Sequence, residues 1–545
     1  MKHVLIIGSG ISGMACAVRC AERGLRVTLA SPFPSERSQS VMAAGGINAV
    51  LPEGEPGDSV SSHVEDTLKG GCGLGGERAV TGLCEHGGEI LRYLEGIGTV
   101  FSVDGHGRPL RRAFGGQSHK RTYYCGASTG KQIVSALVME ARRFEAAGLI
   151  ERRLWCCFHS ALIEDGVCHG AMLFDEARGG LEAVYADAVV IATGGQNAMF
   201  GKTTGSTQCD GYAAGKLFMQ GAELKNLEFI QYHPTTLQTA QKRMLISEAA
   251  RGEGGRLFTR ADGRNIYFME EKYGPGGNLM TRDVVSREID ALGGNVFLDI
   301  SFLGKDAIDE RLPEVRDLCA KYGGIDVTRE PIPVEPSVHF FMGGLAVRLN
   351  HETNIRNLFA VGECASMYHG ANRLGGNSLL AAIYSGNVAA DEIASRKEEA
   401  PAHPDFSGVL EHEKARLAES RDTQSQFPVM YIRDMLAETM QKRLGIVRDE
   451  ANLMKGVDDI DYYLSIAGRL NYDPNVMPYF NYSLTAILTL ARATVTCALS
   501  RRESRGAHWR SDFPRTDAAL QAATIIAYDG GNYSVRLDEE RAYES

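Results

Sequence analysis

Residues 3–13 read His-Val-Leu-Ile-Ile-Gly-Ser-Gly-Ile-Ser-Gly, an apolar run that ends in three closely spaced glycines. The run predicts a buried strand, and the sequence after it predicts a helix over about residues 14–23 and a second strand over 25–30. Glycines at such a junction permit a tight turn, and the N-terminus of the helix attracts a pyrophosphate. The stretch therefore predicts a Rossmann-type βαβ unit that binds a dinucleotide through Gly8, Gly10 and Gly13.

Later segments offer further contacts to the same dinucleotide. The predicted second strand ends at Ser31, whose hydroxyl can bond a ribose although an acidic residue is usual there. A second apolar run, residues 188–192, leads into Thr193 and Gly194, which return the chain to the dinucleotide. Residues 357–363 predict a strand that ends at Glu363, a carboxylate placed for ribityl or ribose hydroxyl groups.

The composition excludes several classes of protein. The chain has 545 residues and a net charge of −10, which argues against a nucleic-acid partner because polyanions are held by basic patches. Its 12 cysteines are scattered, so we expect reduced thiols, no zinc and no iron–sulfur cluster in this chain. The apolar segment 483–499 carries Arg492, which favours a buried helix over a membrane span. Because the predicted strand follows Met1 and Lys2 at once, we expect no signal peptide.

Residues 369–380, His-Gly-Ala-Asn-Arg-Leu-Gly-Gly-Asn-Ser-Leu-Leu, place an imidazole and a guanidinium four residues apart, ahead of a Gly-Gly turn. An arginine can grip a carboxylate through two parallel hydrogen bonds, and glycines let the backbone approach a flat ring. The stretch resembles the flavin-and-dicarboxylate signature of the succinate dehydrogenase/fumarate reductase flavoprotein family. The resemblance implies an α/β protein with a Rossmann-type FAD-binding domain, an inserted α+β capping domain and a C-terminal helical domain.

On this resemblance we expect a discontinuous FAD-binding domain, residues 1–236 and 347–400, with the capping domain, residues 237–346, inserted between its halves. The proline-containing stretch 400–404 predicts a linker. The helical domain follows over residues 401–513, and residues 514–545 form a polar C-terminal tail.

Residues 37–48 resemble the family motif R-S-H-T-V-x-A-Q-G-G, in which the histidine bonds covalently to the flavin. Gln39 stands in that place, and no histidine occurs between His3 and His63. An amide cannot make the bond, so we expect non-covalent FAD. The resemblance assigns further FAD contacts to residues in several motifs, namely Ser38, Gln39, Gly45, Gly46, Thr193, Gly194, Asp210, Glu363, Asn377, Ser378 and Leu379.

Three more regions resemble the family's dicarboxylate site. They are Gln-Tyr-His-Pro-Thr at 231–235 with the related stretch 247–255, Thr-Arg-Asp-Val-Val-Ser-Arg at 281–287, and residues 336–344 around His339. The resemblance implies that His233 and Ser247 bind one substrate carboxylate. It implies that His339 and Arg373 bind the other, which holds the substrate carbon close to the flavin. For an isolated histidine, a structural role would be the more common alternative.

The same resemblance makes Arg282 the acid/base that moves a proton during the reaction. An arginine pKa above about 12 makes this step difficult unless the guanidinium loses its proton only transiently. A relay from Arg251 through Glu248 to Arg282 would meet that requirement. We expect Asp283 to orient Arg282 and to balance its charge.

Two enzymes of the family fit these motifs. L-aspartate oxidase shares most of them, but it has a glutamate in R-E-G-G-H-S that recognises the substrate ammonium. Phe114 occupies that position here and cannot pair with an ammonium, so burying that charge beside it would be costly. Residues 373–377, Arg-Leu-Gly-Gly-Asn, also resemble the reductase form. We therefore favour fumarate and succinate, with Phe114 lining the substrate site, over L-aspartate. A flavin-binding scaffold without activity is a third alternative, which turnover with reduced viologen and fumarate would exclude.

The resemblance also has consequences for direction and partners. A flavin without the covalent bond has a lower potential, which favours fumarate reduction over succinate oxidation. Electrons must come from outside the chain, which implies an iron–sulfur subunit, a membrane-anchor subunit, or a thiol- or quinol-linked partner. We expect a cytoplasmic protein of electron transport and anaerobic respiration, or one held at the inner face of the cell membrane by its partners.

Overall fold

The computed structural model describes residues 1–126, 128–201, 203–239, 243–397, 403–421, 428–468 and 472–538. Its central sheet is parallel, and neighbouring strands follow the order Leu358–Ala360, Ala188–Ile191, His3–Ile7, Arg26–Ser31 and Ile150–Leu154. Short apolar runs form Leu358–Ala360, Ala188–Ile191 and His3–Ile7 because both faces of the sheet are buried there. The edge strand Ile150–Leu154 is charged and only partly buried. The predicted α/β fold with its Rossmann-type domain is confirmed.

The first βαβ unit follows the sequence prediction closely. The helix Ile11–Glu22 begins earlier than predicted, because Gly10 is extended and already acts as its N-cap. A Cβ on Gly13 would lie 1.9 Å from the carbonyl oxygen of Gly8. A Cβ on Gly8 would lie 2.4 Å from the carbonyl oxygen of Ala192, at the end of the neighbouring strand. Glycine at both positions thus lets the strand ends and the helix meet.

A second hydrophobic core lies apart from the main one and runs from Leu237 to Val334. Two antiparallel sheets frame this region. One contains Arg243–Leu245, Ile230–Gln238 and Glu335–Phe341, and the other contains Arg264–Ile266, Arg256–Ala261, Val296–Asp299 and Ile332–Pro333. The separate core supports the proposed capping domain, whose bounds stay a prediction.

Small sheets and helices complete the molecule. Three further strand groups are Ile47–Asn48, Thr122–Tyr123 and Arg111–Arg112; Cys156–Glu164, Val167–Asp175 and Gly180–Tyr185; and Val447–Arg448 with Trp509–Arg510. A five-stranded sheet contains Ala365–Ser366, Gly344–Ala346, Leu224–Lys225, Ala523–Asp529 and Asn532–Asp538. The α-helices after the first are Val60–Gly70, Glu77–Glu85, Gly87–Gly96, Thr129–Ala146, Tyr212–Met219, Ala249–Gly252, Phe268–Tyr273, Arg282–Ala291, Lys305–Arg311, Pro313–Gly323, Asn377–Ser395, Ser407–Arg421, Val429–Arg443, Glu450–Ala467, Pro478–Tyr482 and Leu484–Ser500.

The C-terminal part differs from its sequence description in one respect. Residues after Pro514, expected as a polar tail, include the hairpin Ala523–Asp529 and Asn532–Asp538. Residues 523–526 of its first strand are all buried, and that strand pairs with Leu224–Lys225, which also pairs with Gly344–Ala346. The predicted linker is only partly visible, because residues 400–402 lie outside the described residues.

The apolar segment around Arg492 forms the largely buried helix Leu484–Ser500, and Arg492 pairs with Asp461 at 2.8 Å. Among the described residues, no helix combines the length and the apolarity that crossing a bilayer requires.

Substitution of Gly13 tests the turn that begins the fold. We expect Gly13→Ala to lower the free energy of unfolding by about 3 kcal/mol or more, because its Cβ would overlap backbone. We also expect the purified variant to lack FAD. The control is Gly96→Ala, because nothing lies within 4 Å of a Cβ at that helical position. Urea unfolding checks both, and equal midpoints for the two variants would contradict the account.

Candidate active site and cofactor cavity

A cavity of about 500 Å³ runs from the glycine turn of the first βαβ unit to a group of buried arginines and histidines. Most residues predicted to contact FAD line it: Gly8, Gly10, Ser31, Ser38, Gln39, Gly45, Gly46, Thr193, Gly194, Asp210, Glu363, Ser378 and Leu379. The predicted substrate residues Phe114, His233, Ser247, His339 and Arg373 line it too, as do Glu248 and Arg282. The structure therefore brings together motifs that are far apart in the sequence.

Three predicted residues lie behind the cavity wall. Gly13 packs under the turn, as described above. The amide of Asn377 accepts from Asn48 at 2.7 Å and donates to the Thr67 hydroxyl at 3.0 Å, so its side chain is occupied in a buried network. We therefore assign Asn377 to support of the wall rather than to contact with FAD. Arg251 is shielded from the cavity by Glu248.

The cavity suits a dinucleotide at several points. The N-cap of the helix Ile11–Glu22 is a glycine without a side-chain cap. The Ile11 N–H donates to Ser40 Oγ at 3.1 Å, which leaves the N–H groups of Ser12 and Gly13 for a phosphate. Ser38 Oγ and Gln39 Oε1 are buried in the wall and have no hydrogen-bond partner among the described residues. Buried polar groups are normally paired, so these two atoms indicate a polar ligand.

Arg282 is fixed by a carboxylate from the capping region. Its Nε and Nη2 donate to Glu248 Oε2 at 2.8 and 2.6 Å. The other oxygen of Glu248 accepts from the Gly115 backbone at 2.8 Å and lies 3.3 Å from Arg251 Nη2. Burial alone would raise the pKa of Glu248, but the charges of Arg282 and Arg251 lower it to about 2. The carboxylate is therefore ionised and joins the two guanidinium groups.

Gln231 connects this pair to Arg373. Its Oε1 accepts from Arg282 Nη1 at 3.0 Å and from Arg373 Nη2 at 2.9 Å. Its Nε2 donates to Asn372 Oδ1 and to the Arg373 carbonyl, which fixes the orientation of the amide. Gln231 thus holds two like charges close together with a neutral acceptor.

We expected Asp283 to orient Arg282 and to balance its charge, and this expectation was wrong. Asp283 accepts a hydrogen bond from Asn372 at 2.8 Å, and the carboxylate on Arg282 is that of Glu248. Arg282 is the first residue of its helix, where a positive charge is unfavourable, while Asp283 in the first turn suits the helix dipole.

The two histidines come from paired strands. His233 lies on Ile230–Gln238, and His339 is the extra residue of a bulge on Glu335–Phe341, between Val338 and Phe340. Such a bulge redirects a side chain, and here the two rings lie 5.1 Å apart. Each ring is engaged at Nδ1. The Thr204 hydroxyl lies 2.8 Å from His339 Nδ1, and the backbone N–H and carbonyl oxygen of Thr235 lie 3.3 and 3.2 Å from His233 Nδ1. Within the described ranges, no hydrogen bond occupies either Nε2.

Burial and repulsion dominate the electrostatics of this group. Burial, followed by the charge of Arg282, lowers the pKa of His233 and of His339 well below the usual range, so both rings are neutral at pH 7. Burial and Arg282 also lower the pKa of Arg373. Three guanidinium groups face one ionised carboxylate, which leaves two net positive charges. A dianion would offset that excess.

Two residues of this site were missed from the sequence. Gln231 lies inside a quoted motif, but its contacts join residues 51 and 142 positions away. Thr204 gave no signal, because only the fold brings it to His339. Within the described part of the chain, no group of three His, Cys, Asp or Glu side chains is placed to hold a metal ion.

Comparisons with known proteins agree with this geometry. Residues 3–379 match the family described as FAD binding domain, and residues 433–543 match the family described as fumarate reductase flavoprotein C-term. The chain belongs to the succinate dehydrogenase/fumarate reductase flavoprotein family. FAD is therefore the cofactor of this flavoprotein.

Relatives of this flavoprotein include several activities. It is 36% identical to the succinate dehydrogenase flavoprotein subunit of Bacillus subtilis, over 96% of this chain and 94% of the relative. It is 34% identical to the L-aspartate oxidase of a Nostoc species, over 96% and 93%. A quinol fumarate reductase flavoprotein of E. coli has the same fold, with a TM-score of 0.89 and 29% identity over 99% and 97% of the two chains.

Glu363 gives this flavoprotein a testable pH dependence. It accepts from the Phe341 backbone at 3.1 Å, and burial raises its pKa from 4.5 to about 7. The folded FAD-free chain therefore holds a proton that the unfolded chain releases between these pKa values. We expect Glu363 to lower the free energy of unfolding by about 1–3 kcal/mol as pH rises through that window, measured as the difference between wild type and Glu363→Gln. Buried histidines such as His63 and His351, whose pKa values are lowered to about 4, act in the opposite direction but are present in both proteins. Urea unfolding of FAD-free protein at several pH values checks this, and an unchanged slope in the variant would contradict it.

Proposed function

We propose that this flavoprotein interconverts fumarate and succinate, as an FAD-dependent enzyme acting on a CH–CH bond, and that it favours fumarate reduction. One observation carries the proposal: Arg282 and Arg373 converge with two neutral imidazoles at one end of the FAD cavity. With Arg251 behind the wall and the carboxylate of Glu248, this group carries two net positive charges. A four-carbon dicarboxylate matches that charge and offers a carboxylate to each side of the group.

Different parts of the chain hold the two carboxylates. We assign one to Arg373 and His339, and the other to His233 and Ser247. A guanidinium binds a carboxylate through parallel hydrogen bonds, and a neutral imidazole can donate from Nε2 without adding charge. The Thr204 hydroxyl at His339 Nδ1 and the Thr235 backbone N–H, which donates to His233 Nδ1 at 3.3 Å, fix both rings with the proton on Nε2. Anchoring at both ends limits the motion of the substrate and holds its double bond in one place.

When bound, the flavin supplies the hydride of this reaction. The chain must then supply one proton to the second carbon of fumarate, which gives succinate. We assign this proton to a guanidinium N–H of Arg282. Glu248, whose Oε2 lies 2.6 Å from Arg282 Nη2, passes a proton on to it, and Arg251 at 3.3 Å returns a proton to Glu248. A proton from solvent then restores Arg251, so that one proton is taken up for each fumarate reduced. Glu248 keeps its hydrogen bonds from Arg282 and from the Gly115 backbone, so it stays in place to return a proton. Arg282 therefore lacks its proton only until Glu248 passes the next one to it.

L-aspartate oxidase activity is the second candidate, because an oxidase of that type is a relative of similar identity. An aspartate ammonium would need an acceptor beside the substrate carbon. Phe114 is only 3% exposed and offers none. Both oxygens of Glu248 already accept from Arg282 and from the Gly115 backbone. The cost of burying an unpaired ammonium here favours the dicarboxylates without an amino group.

Electron delivery requires partners. Several relatives are flavoprotein subunits, among them an 8-methylmenaquinol:fumarate reductase flavoprotein subunit of Wolinella succinogenes. We therefore propose an iron–sulfur subunit as the immediate donor, with a membrane-anchor subunit or a quinol- or thiol-linked partner behind it. In that arrangement the protein is cytoplasmic, at the inner face of the cell membrane, and serves anaerobic respiration.

Turnover tests the proposed reaction. With reduced viologen as donor, we expect fumarate reduction, and Arg282→Lys to lower kcat by about 10² or more, because it loses the fork on Glu248 and the proton donor. Arg287→Lys is the matched control, since Arg287 lies on the same helix and stacks on Trp509, 4.1 Å from the ring centroid. Wild-type turnover in the Arg282 variant would contradict the assigned role. Peroxide release with L-aspartate in air, without viologen-linked fumarate turnover, would favour the oxidase.

Non-covalent attachment follows from Gln39 and has its own test. We expect trichloroacetic acid in the presence of urea to leave all flavin in the supernatant, because no histidine from this segment can bond to it. Absorbance of supernatant and pellet measures the distribution. Flavin fluorescence that stays with the denatured chain on a gel would contradict the proposal.

A further inference from the structure

The helical region contributes a wall to the cofactor cavity. Met477 and the short helix Pro478–Tyr482 follow the helix Glu450–Ala467 in the chain. Met477, Tyr479 and Phe480 line the cavity, although they lie outside both proposed halves of the FAD-binding domain. No motif quoted from the sequence includes them.

These residues lie at the adenosine end of the cavity. In a Rossmann unit the ribose of the adenosine lies at the carboxyl end of the second strand, which here is Ser31. Ser31 pairs with Leu154, and Phe158, four residues later, also lines the cavity. The Tyr212 ring lies 6.4 Å from Phe158 and 5.3 Å from Tyr479. An aromatic series therefore connects the strand ends to the helical region.

Polar contacts join the short helix Pro478–Tyr482 to Asp210. The Tyr479 hydroxyl donates to Asp210 Oδ1 at 2.8 Å, and Arg433 Nη1 lies 3.5 Å from Asp210 Oδ2. Arg433 also contacts the Ser483 hydroxyl, and its guanidinium lies 5.0 Å from the Phe480 ring centroid. The Tyr479 backbone N–H donates to Glu176 at 3.1 Å. The short helix is thus held on several sides while two of its rings stay in the cavity wall.

We propose that the segment 477–482 is an adenosine clamp that retains FAD in the absence of a covalent bond. Phe480 supplies an aromatic face for the adenine, and Tyr479 positions Asp210 as an acceptor for an adenosine hydroxyl. The inference rests on the proposed non-covalent attachment. A chain that lacks the covalent bond at the flavin end must hold its cofactor by contacts alone, so those at the adenosine end decide how long it stays.

The release rate of FAD from the purified holoenzyme tests the clamp. Dilution into buffer and the rise of free FAD fluorescence give the rate. Phe480→Leu keeps an apolar side chain of similar reach but removes the aromatic face, and we expect about 5- to 100-fold faster release. Tyr479→Phe keeps the ring and removes the hydroxyl on Asp210, and we expect about 10-fold faster release. Tyr462→Phe is the control, because Tyr462 is 57% exposed on the neighbouring helix.

ADP separates a direct contact from a loss of folding, because it carries the adenosine half alone. We expect ADP to raise the unfolding temperature of the FAD-free wild type and of Tyr462→Phe, and to raise that of Phe480→Leu much less.

Release rates in both clamp variants within about twofold of the control, or equal stabilisation by ADP, would overturn the proposal. If neither the wild type nor any variant released flavin in acid, the flavin would be bound covalently. The proposal would then fail, because it rests on non-covalent attachment. Failure of fumarate turnover with faster FAD release would instead reject the reaction alone.

Discussion

The active site depends on one buried carboxylate shared between two guanidinium groups. Glu248 holds Arg282 through a fork and lies beside Arg251, and its own pKa is lowered to about 2 by their charges. Without it, two arginines would be buried as unpaired like charges, which is among the least favourable arrangements a protein interior offers. The arrangement still leaves an excess of positive charge, and that excess is what a dicarboxylate substrate can use.

The group of charges also crosses the boundary between the two proposed domains. Arg282 and Glu248 come from the region with its own hydrophobic core, whereas Arg373 comes from the loop ahead of the helix Asn377–Ser395. Gln231 bonds to both guanidinium groups and so joins the regions at the substrate site. The complete constellation therefore exists only while the capping region lies against the FAD-binding region.

Short sequence patterns predicted those parts of the fold that depend on residues close together in the sequence. The glycine turn at Gly8, the strand at His3–Ile7 and the burial of Leu484–Ser500 all follow from short apolar runs and turn residues. Most residues that the motif resemblance assigns to FAD and substrate line one cavity, and their roles stay predictions. Bonds between residues distant in sequence gave no signal, such as those of the Asn377 amide with Asn48 and Thr67, or that of Tyr479 with Asp210. Arg282 is the first residue of its helix, where the helix dipole disfavours a positive charge. Such departures from a local preference are expected at functional sites.

The C-terminal hairpin has a consequence for biosynthesis. The strand Leu224–Lys225 gains one neighbour from Gly344–Ala346 and the other from Ala523–Asp529, so its hydrogen bonding requires residues made some 300 positions later. Until residue 538 has emerged from the ribosome, that edge of the nascent chain is exposed to other strands. The whole sheet is consequently completed late in synthesis, long after the strand Leu224–Lys225 has been made.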